Sequence, residues 1–282
     1  LKPSKEAPLN AFVLADILDT IGLPSGVFNL VSGHGSEIGE YLSSHIDVDM
    51  VSFTGSTGAG TRVSEVAAPT VKRVTLELGG KSANVILDDA DIVRSSKTAI
   101  GACFQNSGQT CSALTRLIIP ASHSDEILGI VSDRVNGYTP GNPMAEGTRC
   151  GPMVSARQQA SVLEYIQSGI DEGASLLAGG SGVPEGLDDG FYVKPTAFAN
   201  VTPDMRIWQE EIFGPVLVVA TYETEEEALA LANDSIYGLS GGVWSGDEDR
   251  AIRFARNMKT GQVSVNGGHF NISAPFGGYK MS

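Results

Sequence analysis

The chain has 282 residues, of which 41% are hydrophobic and 18% are charged. This composition suits one large folded domain or two smaller ones, and it argues against disorder. The formal charge of −14 repels a phosphate backbone, so we expect no nucleic-acid partner. That charge does not exclude a nucleotide in a local pocket, where backbone amides and helix dipoles dominate.

Three cysteines, Cys103, Cys111 and Cys150, bear on the cellular compartment. Their number is odd and no pair has the Cys-x-x-Cys spacing, which argues against a disulfide framework and a metal site. We therefore expect a reducing, cytoplasmic location. No apolar run approaches the ~20 residues of a membrane span, so no membrane partner is expected. Because the chain begins with Leu1 and not Met, we expect both ends to be cut from a longer chain.

The predicted elements alternate between helices, strands and glycine turns. The first is an amphipathic helix that ends at Gly22 and carries on one face Leu14, Ile17, Leu18 and Ile21. A short buried strand over 27–31 and a helix over 36–44 follow. A strand over 49–53 then leads through a glycine-rich turn into a helix from about Thr61. This rhythm is typical of a parallel, doubly wound α/β sheet.

The same α/β alternation continues beyond Gly80. The patterns predict strands over 83–87, 117–119, 215–221 and 262–265. They predict helices over 91–104, 125–135, 155–172, 224–233 and 247–258. The stretch 137–151 is rich in Gly, Pro and Asn and is predicted to be a loop.

The turn from Gly55 to Gly60 is a candidate phosphate site. It follows a strand and opens a helix, so backbone N–H groups and the helix dipole converge there. Gly55 lets a ligand approach the backbone, and the Ser56 hydroxyl adds a donor. The spacing is Gly-x-x-Gly-x-Gly and not the common dinucleotide fingerprint, so a plain strand-to-helix turn is the alternative.

Cys111 and Glu77 are candidate catalytic residues. Cys111 ends the polar run Phe-Gln-Asn-Ser-Gly-Gln-Thr-Cys, and Glu77 lies 34 positions upstream at the end of an apolar strand. A thiol nucleophile and a carboxylate base are two halves of a covalent mechanism. The alternative for Glu77 is an ordinary strand-end carboxylate. Cys103, within an apolar helix, is interpreted as core, and Cys150 as structural or incidental.

Two further segments contain candidate binding residues. Glu211 and Phe213 belong to the run Glu-Glu-Ile-Phe-Gly-Pro, and an acidic residue can hold a ribose by its hydroxyls. The alternative is a strand-entry turn. Phe276 lies in the run Pro-Phe-Gly-Gly-Tyr-Lys, a loop that either lines a pocket or closes a domain.

Together these segments resemble the NAD(P)-dependent aldehyde dehydrogenase superfamily. The resemblance spans essentially the whole chain and depends on five blocks in the family's order: Phe53-Thr54-Gly55-Ser56-Thr57, Leu76-Glu77-Leu78-Gly79-Gly80-Lys81, Gly108-Gln109-Thr110-Cys111, Glu211-Ile212-Phe213-Gly214-Pro215 and Pro275-Phe276-Gly277-Gly278. It implies an aldehyde-dehydrogenase-like α/β fold. Residues 1–78 would be the later part of a Rossmann-like NAD(P)-binding domain, and residues 79–282 an α/β catalytic domain.

The resemblance also implies a reaction. Cys111 would attack the aldehyde to give a thiohemiacetal, and loss of hydride to the nicotinamide would leave a thioester. Glu77 would activate the water that hydrolyses the thioester to a carboxylic acid. Relatives that pass the acyl group to coenzyme A usually lack a glutamate at the position of Glu77, so hydrolysis is favoured.

Binding roles follow from the same resemblance. Gly55 and Ser56 would hold the pyrophosphate, and Lys2 would reach the adenosine ribose. Glu211 would bind the nicotinamide-side ribose with Phe213 packed near the cofactor. The aldehyde tunnel would be lined by Phe276, Phe270 and Asn271. Family members are dimers or tetramers, so a homo-oligomer is expected for the intact protein.

The chain departs from the family pattern at two places. In many NAD-preferring relatives a glutamate lies three positions after the residue that matches Lys2, whereas this chain has Lys5. A cation there suits a 2′-phosphate, so the cofactor is NAD or NADP. The family's long N-terminal portion, which supplies an oxyanion-binding asparagine, precedes the position of Lys2. Because this chain begins near that position, we expect it to lack the oxyanion-binding asparagine. The alternative function is therefore a non-catalytic folded fragment that binds nucleotide weakly or only packs against partners.

Overall fold

A computed structural model describes residues 1–282. The chain divides into two compact units, Leu1–Glu77 and Leu78–Ser282. The boundary predicted from the sequence lies one residue later, and the roles assigned to the two parts stay predictions. No helix is long and apolar enough to cross a membrane.

The first unit contains a β–α–β crossover. Its helices are α1 (Leu9–Thr20), α2 (Glu40–Ser44), which continues a π-helical turn over Gly35–Gly39, and α3 (Thr57–Ala67). Its strands are β1 (Met50–Thr54) and β2 (Arg73–Glu77). The two strands are parallel, with Met50 opposite Arg73 and Thr54 opposite Glu77. A parallel pair joined by a helix is the unit from which doubly wound folds are built.

Two predictions in this unit are wrong. Helix α3 begins at Thr57 and not near Thr61, because the Ser56 side chain accepts a hydrogen bond from the Ala59 N–H at 3.3 Å and caps the helix. Residues 27–31 form no strand. Leu1 bonds to this segment through Val31 N–H to Leu1 O at 3.0 Å and Leu1 N to Asn29 O at 2.6 Å, and one residue is too short a partner for a ladder.

The second unit is an α/β sandwich. Its strands are β3 (Ala83–Ile86), β4 (Arg116–Pro120), β5 (Ser175–Ala178), β6 (Thr196–Ala199), β7 (Val216–Tyr222), β8 (Tyr237–Gly238), β9 (Ser240–Trp244), β10 (Gln262–Val265) and β11 (Tyr279–Lys280). Its helices are α4 (Ile92–Phe104), α5 (Ser124–Asn136), α6 (Ala156–Asp171), α7 (Arg206–Gln209), α8 (Glu225–Asn233) and α9 (Glu248–Ala255). The segment 137–151 is a loop with one isolated bridge, as predicted.

Seven strands form one sheet in the order β10-β9-β3-β4-β7-β6-β5, and only the edge strand β5 is antiparallel. Strands β8 and β11 form a separate antiparallel pair. Alternate side chains of the central strands enter two hydrophobic clusters. In β4, Leu117 and Ile119 pack with helices α4 and α5, whereas Ile118 packs with α6, α8 and α9. Helices therefore cover both faces of a mostly parallel sheet, as expected for this architecture.

Candidate active site

The loop before Cys111 has an unusual backbone. Asn106, Ser107 and Gly108 have φ of +50°, +56° and +72°, three consecutive residues in the left-handed region. Non-glycine residues adopt this region at a cost and keep it only when neighbouring contacts impose it. The conformation separates helix α4 from the half-buried Cys111, which lies in the following turn.

Two side chains hold this loop in place. The Ser107 hydroxyl donates to Gly151 O at 3.1 Å and accepts from Gly151 N–H at 2.8 Å. The Gln109 amide donates to Pro152 O at 3.3 Å and accepts from Val154 N–H at 2.8 Å. Both side chains therefore tie the loop to the segment 151–154 and fix the backbone that leads to Cys111.

Close glycine contacts bring three of the sequence blocks together. A Cβ atom on Gly80 would lie 2.3 Å from the carbonyl oxygen of Cys111. A Cβ atom on Gly79 would lie 2.4 Å from Oε2 of Glu211. Real Cβ atoms do not approach other atoms this closely, so Gly80, which meets a backbone oxygen, requires glycine, whereas a side chain at Gly79 would displace the Glu211 carboxylate. The backbone of Cys111 and the carboxylate of Glu211 thus pack against the same two glycines.

Glu211 is held on the backbone of Gly80. Its Oε1 accepts the Gly80 N–H at 3.1 Å across 131 positions of sequence. Burial raises the pKa of the Glu211 carboxyl, while the Gly80 hydrogen bond and the charge of Lys81 act in the opposite direction. A buried carboxylate that uses one oxygen for the backbone can still accept hydrogen bonds from ribose hydroxyls.

The neighbours of Glu211 stabilise its turn. Glu210 accepts the Tyr165 hydroxyl at 2.7 Å and pairs with Arg206 at 3.2 Å. On the other side, the Gln158 amide donates to Phe213 O at 2.9 Å. Phe213 has φ of +53° and is 37% exposed, so the turn presents an aromatic residue beside Glu211.

The other two thiols are structural, as the sequence indicates. Cys103 is fully buried, and burial raises the pKa of its thiol to about 12. Burial also raises the pKa of the Cys150 thiol. A thiol rather than a thiolate is a poor nucleophile, so neither residue suits catalysis. No disulfide joins any of the three cysteines.

The aromatic residues predicted to line the aldehyde tunnel lie near each other. The ring centroids of Phe270 and Phe276 are 6.0 Å apart at an interplanar angle of 60°. Both side chains are exposed, at 53% and 45%. Between them in sequence, Asn271 uses Oδ1 to accept the Ser273 N–H at 3.0 Å, which shapes the loop.

The first unit contains the candidate base and the candidate phosphate turn. The Gly55 N–H donates to the backbone carbonyl of Glu77 at 3.1 Å, so the two residues end adjacent strands side by side. The Oε2 atom of Glu77 is buried and makes no protein hydrogen bond. Helix α3 starts at the turn, and a Cβ on Gly58 would meet nothing within 4 Å, so there is open space beside its first turn. An open helix N-terminus fits a dinucleotide pyrophosphate.

The two candidate lysines of the first unit have different surroundings. Lys2 is half-buried, and its Nζ donates to Gly33 O at 3.2 Å and to Pro3 O at 2.5 Å. Lys5 is exposed and pairs with Glu6 at 3.4 Å. The charge that sequence reasoning assigned to a 2′-phosphate is therefore partly balanced by a neighbouring carboxylate.

A sequence profile described as the aldehyde dehydrogenase family matches residues 1–282, the whole chain. The chain belongs to the aldehyde dehydrogenase family. It is 50% identical over 282 residues to 3-succinoylsemialdehyde-pyridine dehydrogenase of Pseudomonas sp., covering 100% of this chain and 59% of that relative. The chain thus spans about three-fifths of the length of the curated relatives it matches.

Solved aldehyde dehydrogenases have the same fold. A mutant of aldehyde dehydrogenase C from Pseudomonas syringae, in complex with NAD+ and octanal, superposes with a TM-score of 0.98 at 46% identity. An aldehyde dehydrogenase of Mycobacterium tuberculosis in complex with NAD+ gives 0.97 at 45% identity. Each comparison covers 100% of this chain and 58% of the solved chain. The predicted family and fold class are confirmed, and nothing favours the non-catalytic alternative.

The residues that support this candidate site are not evident from the sequence. The polar run before Cys111 does not indicate that the side chains of Ser107 and Gln109 fix its loop. Lys81, which has no role assigned from the sequence, is only 2% exposed. A lysine directly after Gly-Gly was the available signal, but sequence alone does not say that its side chain is buried.

Proposed function

We propose that this protein oxidises an aldehyde to a carboxylic acid with NAD+, through a covalent intermediate on Cys111. The observation that carries the proposal is the match of the whole chain to the aldehyde dehydrogenase family. The half-buried Cys111, held by a fixed loop and next to a Gly-Gly backbone that also seats Glu211, supports it.

The chemistry assigned to this chain has two stages. The Cys111 thiolate attacks the aldehyde carbon, and the C–S bond forms as the carbonyl oxygen becomes an oxyanion. The Cys111 N–H is a candidate donor to that oxyanion. When bound, NAD+ accepts the hydride, and the group left on Cys111 is a thioester. Glu77 then takes a proton from water, which attacks the thioester and releases the carboxylic acid and the thiol.

Cofactor binding is assigned to five residues. The helix α3 N-terminus, with Gly55 and Ser56, would hold the pyrophosphate. Lys2 would reach the adenosine ribose. Glu211 would hold the other ribose, and Phe213 would pack near the nicotinamide. NAD+ is preferred over NADP+ in this proposal because neighbours of the same fold are solved with NAD+ and because Glu6 offsets the charge of Lys5.

The aldehyde would contact Phe270, Phe276 and Asn271. Their exposed aromatic pair suits an apolar substituent on the aldehyde. The solved neighbour in complex with octanal is consistent with an apolar substituent of that type. We further propose that the intact protein is a cytoplasmic dimer or tetramer, which light scattering after size-exclusion chromatography would test.

The decisive experiment uses the full-length protein with aldehyde and NAD+ and follows the reduced cofactor. Cys111→Ser should lower turnover by roughly a thousandfold or more, as expected for loss of a nucleophile. It should leave NAD+ affinity unchanged. Cys150→Ser is the matched control and should retain activity. Undiminished turnover in folded Cys111→Ser would refute the proposal.

A further inference from the structure

Lys81 is a buried ammonium group without a partner. Its side chain is 2% exposed, and Nζ makes no protein hydrogen bond. Its backbone carbonyl, by contrast, accepts from Nε of Arg116 at 2.7 Å. A buried charge is costly unless its surroundings stabilise it. The covalent chemistry assigned to Cys111 and Glu77 gives no reason for this costly burial of Nζ, so Lys81 needs a separate explanation.

A small cavity of about 10 Å³ adjoins this side chain. Three of its lining residues, Lys81, Ser82 and Thr260, each have a buried terminal N or O atom without a protein hydrogen-bond partner. The volume is close to that of one water-sized probe, and a buried water typically makes about three hydrogen bonds. The cavity therefore has room for a single water molecule, and these three polar groups are the candidates to bind it.

The same cavity adjoins the seat of Glu211. Tyr237 lines the cavity, and its Cε1 lies 3.2 Å from the position of a Cβ on Gly79. Oε2 of Glu211 lies 2.4 Å from that position, and Oε1 accepts from Gly80. The carboxylate of Glu211 and the cavity-lining ring of Tyr237 therefore both lie close to Gly79, two positions before Lys81.

Charges around the two groups support an electrostatic link. Burial and, to a smaller extent, the charge of Arg116 lower the pKa of Lys81, while Cys103, Glu211 and Glu210 raise it; the net result is a pKa of about 7. For Glu211, burial raises the pKa, and the Gly80 hydrogen bond and Lys81 lower it. Each of the two groups thus favours the charged form of the other.

We propose that Lys81, in its one-water cavity with Ser82 and Thr260, is a positioning residue that keeps the Glu211 carboxylate charged and seated on the Gly80 amide. This inference rests on the proposed role of Glu211 in holding the cofactor ribose. Loss of the ammonium leaves the carboxylate buried without a nearby cation, and proton uptake by Glu211 then removes an acceptor that the ribose needs.

The test measures NAD+ dissociation constants from pH 5 to 9 with the full-length protein. In the wild type, NAD+ affinity should fall at acid pH as Glu211 gains a proton. We call this fall the acid limb of the pH profile, and Glu211→Gln should remove the limb. In Lys81→Met the midpoint of the limb should move up by about one pH unit, the size expected for loss of a nearby opposite charge. Lys259→Met, an exposed lysine on the same cavity, should leave it in place.

A second pair of variants guards against misfolding of Lys81→Met. Thr260→Val removes one partner of the water and should shift the limb in the same direction by a smaller amount, whereas Thr260→Ser should not. An unmoved limb in folded Lys81→Met and Thr260→Val would overturn the inference. Unchanged NAD+ affinity in Glu211→Gln would instead refute the proposed role of Glu211. In that case the stability to thermal unfolding of Lys81→Met, Glu211→Gln and the double variant tests the link between the two residues. Coupled effects on stability support the link, and additive effects overturn it.

Discussion

A Cβ atom on Gly108 would lie 2.0 Å from the carbonyl oxygen of Gly214. This contact joins the loop that ends at Cys111 to the turn that follows Glu211. Gly108 also has φ of +72°, which side chains rarely tolerate. The position of the proposed nucleophile therefore depends on a glycine-to-glycine contact between segments about a hundred residues apart in sequence.

Gly108→Ala should lower both stability and activity. The backbone oxygen cannot move as a flexible side chain would, so we expect a loss of about 1–3 kcal/mol, typical of overpacking. The matched control is Gly129→Ala in helix α5, where a Cβ would meet nothing within 4 Å. That exposed helical site should gain about 0.5–1 kcal/mol. Thermal unfolding and turnover of both variants test the prediction, and a Gly108→Ala enzyme of normal activity would contradict it.

Thiol reactivity should single out Cys111. Burial raises the pKa of Cys103 to about 12 and also raises that of Cys150, so both are protonated at neutral pH. Iodoacetamide at pH 7 should therefore alkylate Cys111 alone in the native protein, with loss of activity in step, because the thiolate is the reactive form. Peptide mass spectrometry measures the site. Alkylation of Cys150 at an equal rate would contradict the prediction.

The sequence predicted most helices to within a few residues because their ends carry capping side chains. Asp91, Ser155, Thr224 and Asp247 each accept a backbone N–H of the helix that follows. Such local signals need no knowledge of the fold. The glycine-rich turn was misjudged only in extent, since Gly58 and Gly60 belong to helix α3.

Strands that depend on distant packing were not predictable in the same way. Strand β9 contains Gly241 and Gly242, which weaken a strand pattern. In the structure a Cβ on Gly242 would lie 2.7 Å from Oδ1 of Asn84, so the neighbouring strand β3 demands glycine there. Likewise, the seating of Glu211 on Gly80 spans 131 positions and has no local signature. The chemical residues were visible in sequence, but the contacts that orient them were not.

Glu77→Gln should separate the two chemical stages. If Glu77 activates the hydrolytic water, the variant should form the thioester on Cys111 and then stop. We expect a burst of about one reduced cofactor per site, followed by turnover slowed roughly a hundredfold or more, as for loss of a general base. Rapid-mixing absorbance measures the burst, and intact-protein mass spectrometry should find the acyl adduct. Unimpaired steady-state turnover would exclude Glu77 as the base.

Glu6→Gln should raise the use of NADP+ without changing that of NAD+. Lys5 lies where a cation suits a 2′-phosphate, but Glu6 pairs with it at 3.4 Å. Exposed pairs of this kind are worth about 0.2–1 kcal/mol. Release of Lys5 should therefore increase kcat/KM for NADP+ by roughly one and a half to fivefold, because 1.4 kcal/mol corresponds to a factor of ten.

The control for that variant is Asp16→Asn, an exposed residue of helix α1 whose replacement removes the same charge. An equal gain in NADP+ use by Asp16→Asn would show that overall charge, and not Lys5, is responsible. Lys5→Met in the Glu6→Gln background should cancel the gain, because the cation itself is then lost. A gain that survives this second change would rule out Lys5 as the residue that meets the 2′-phosphate.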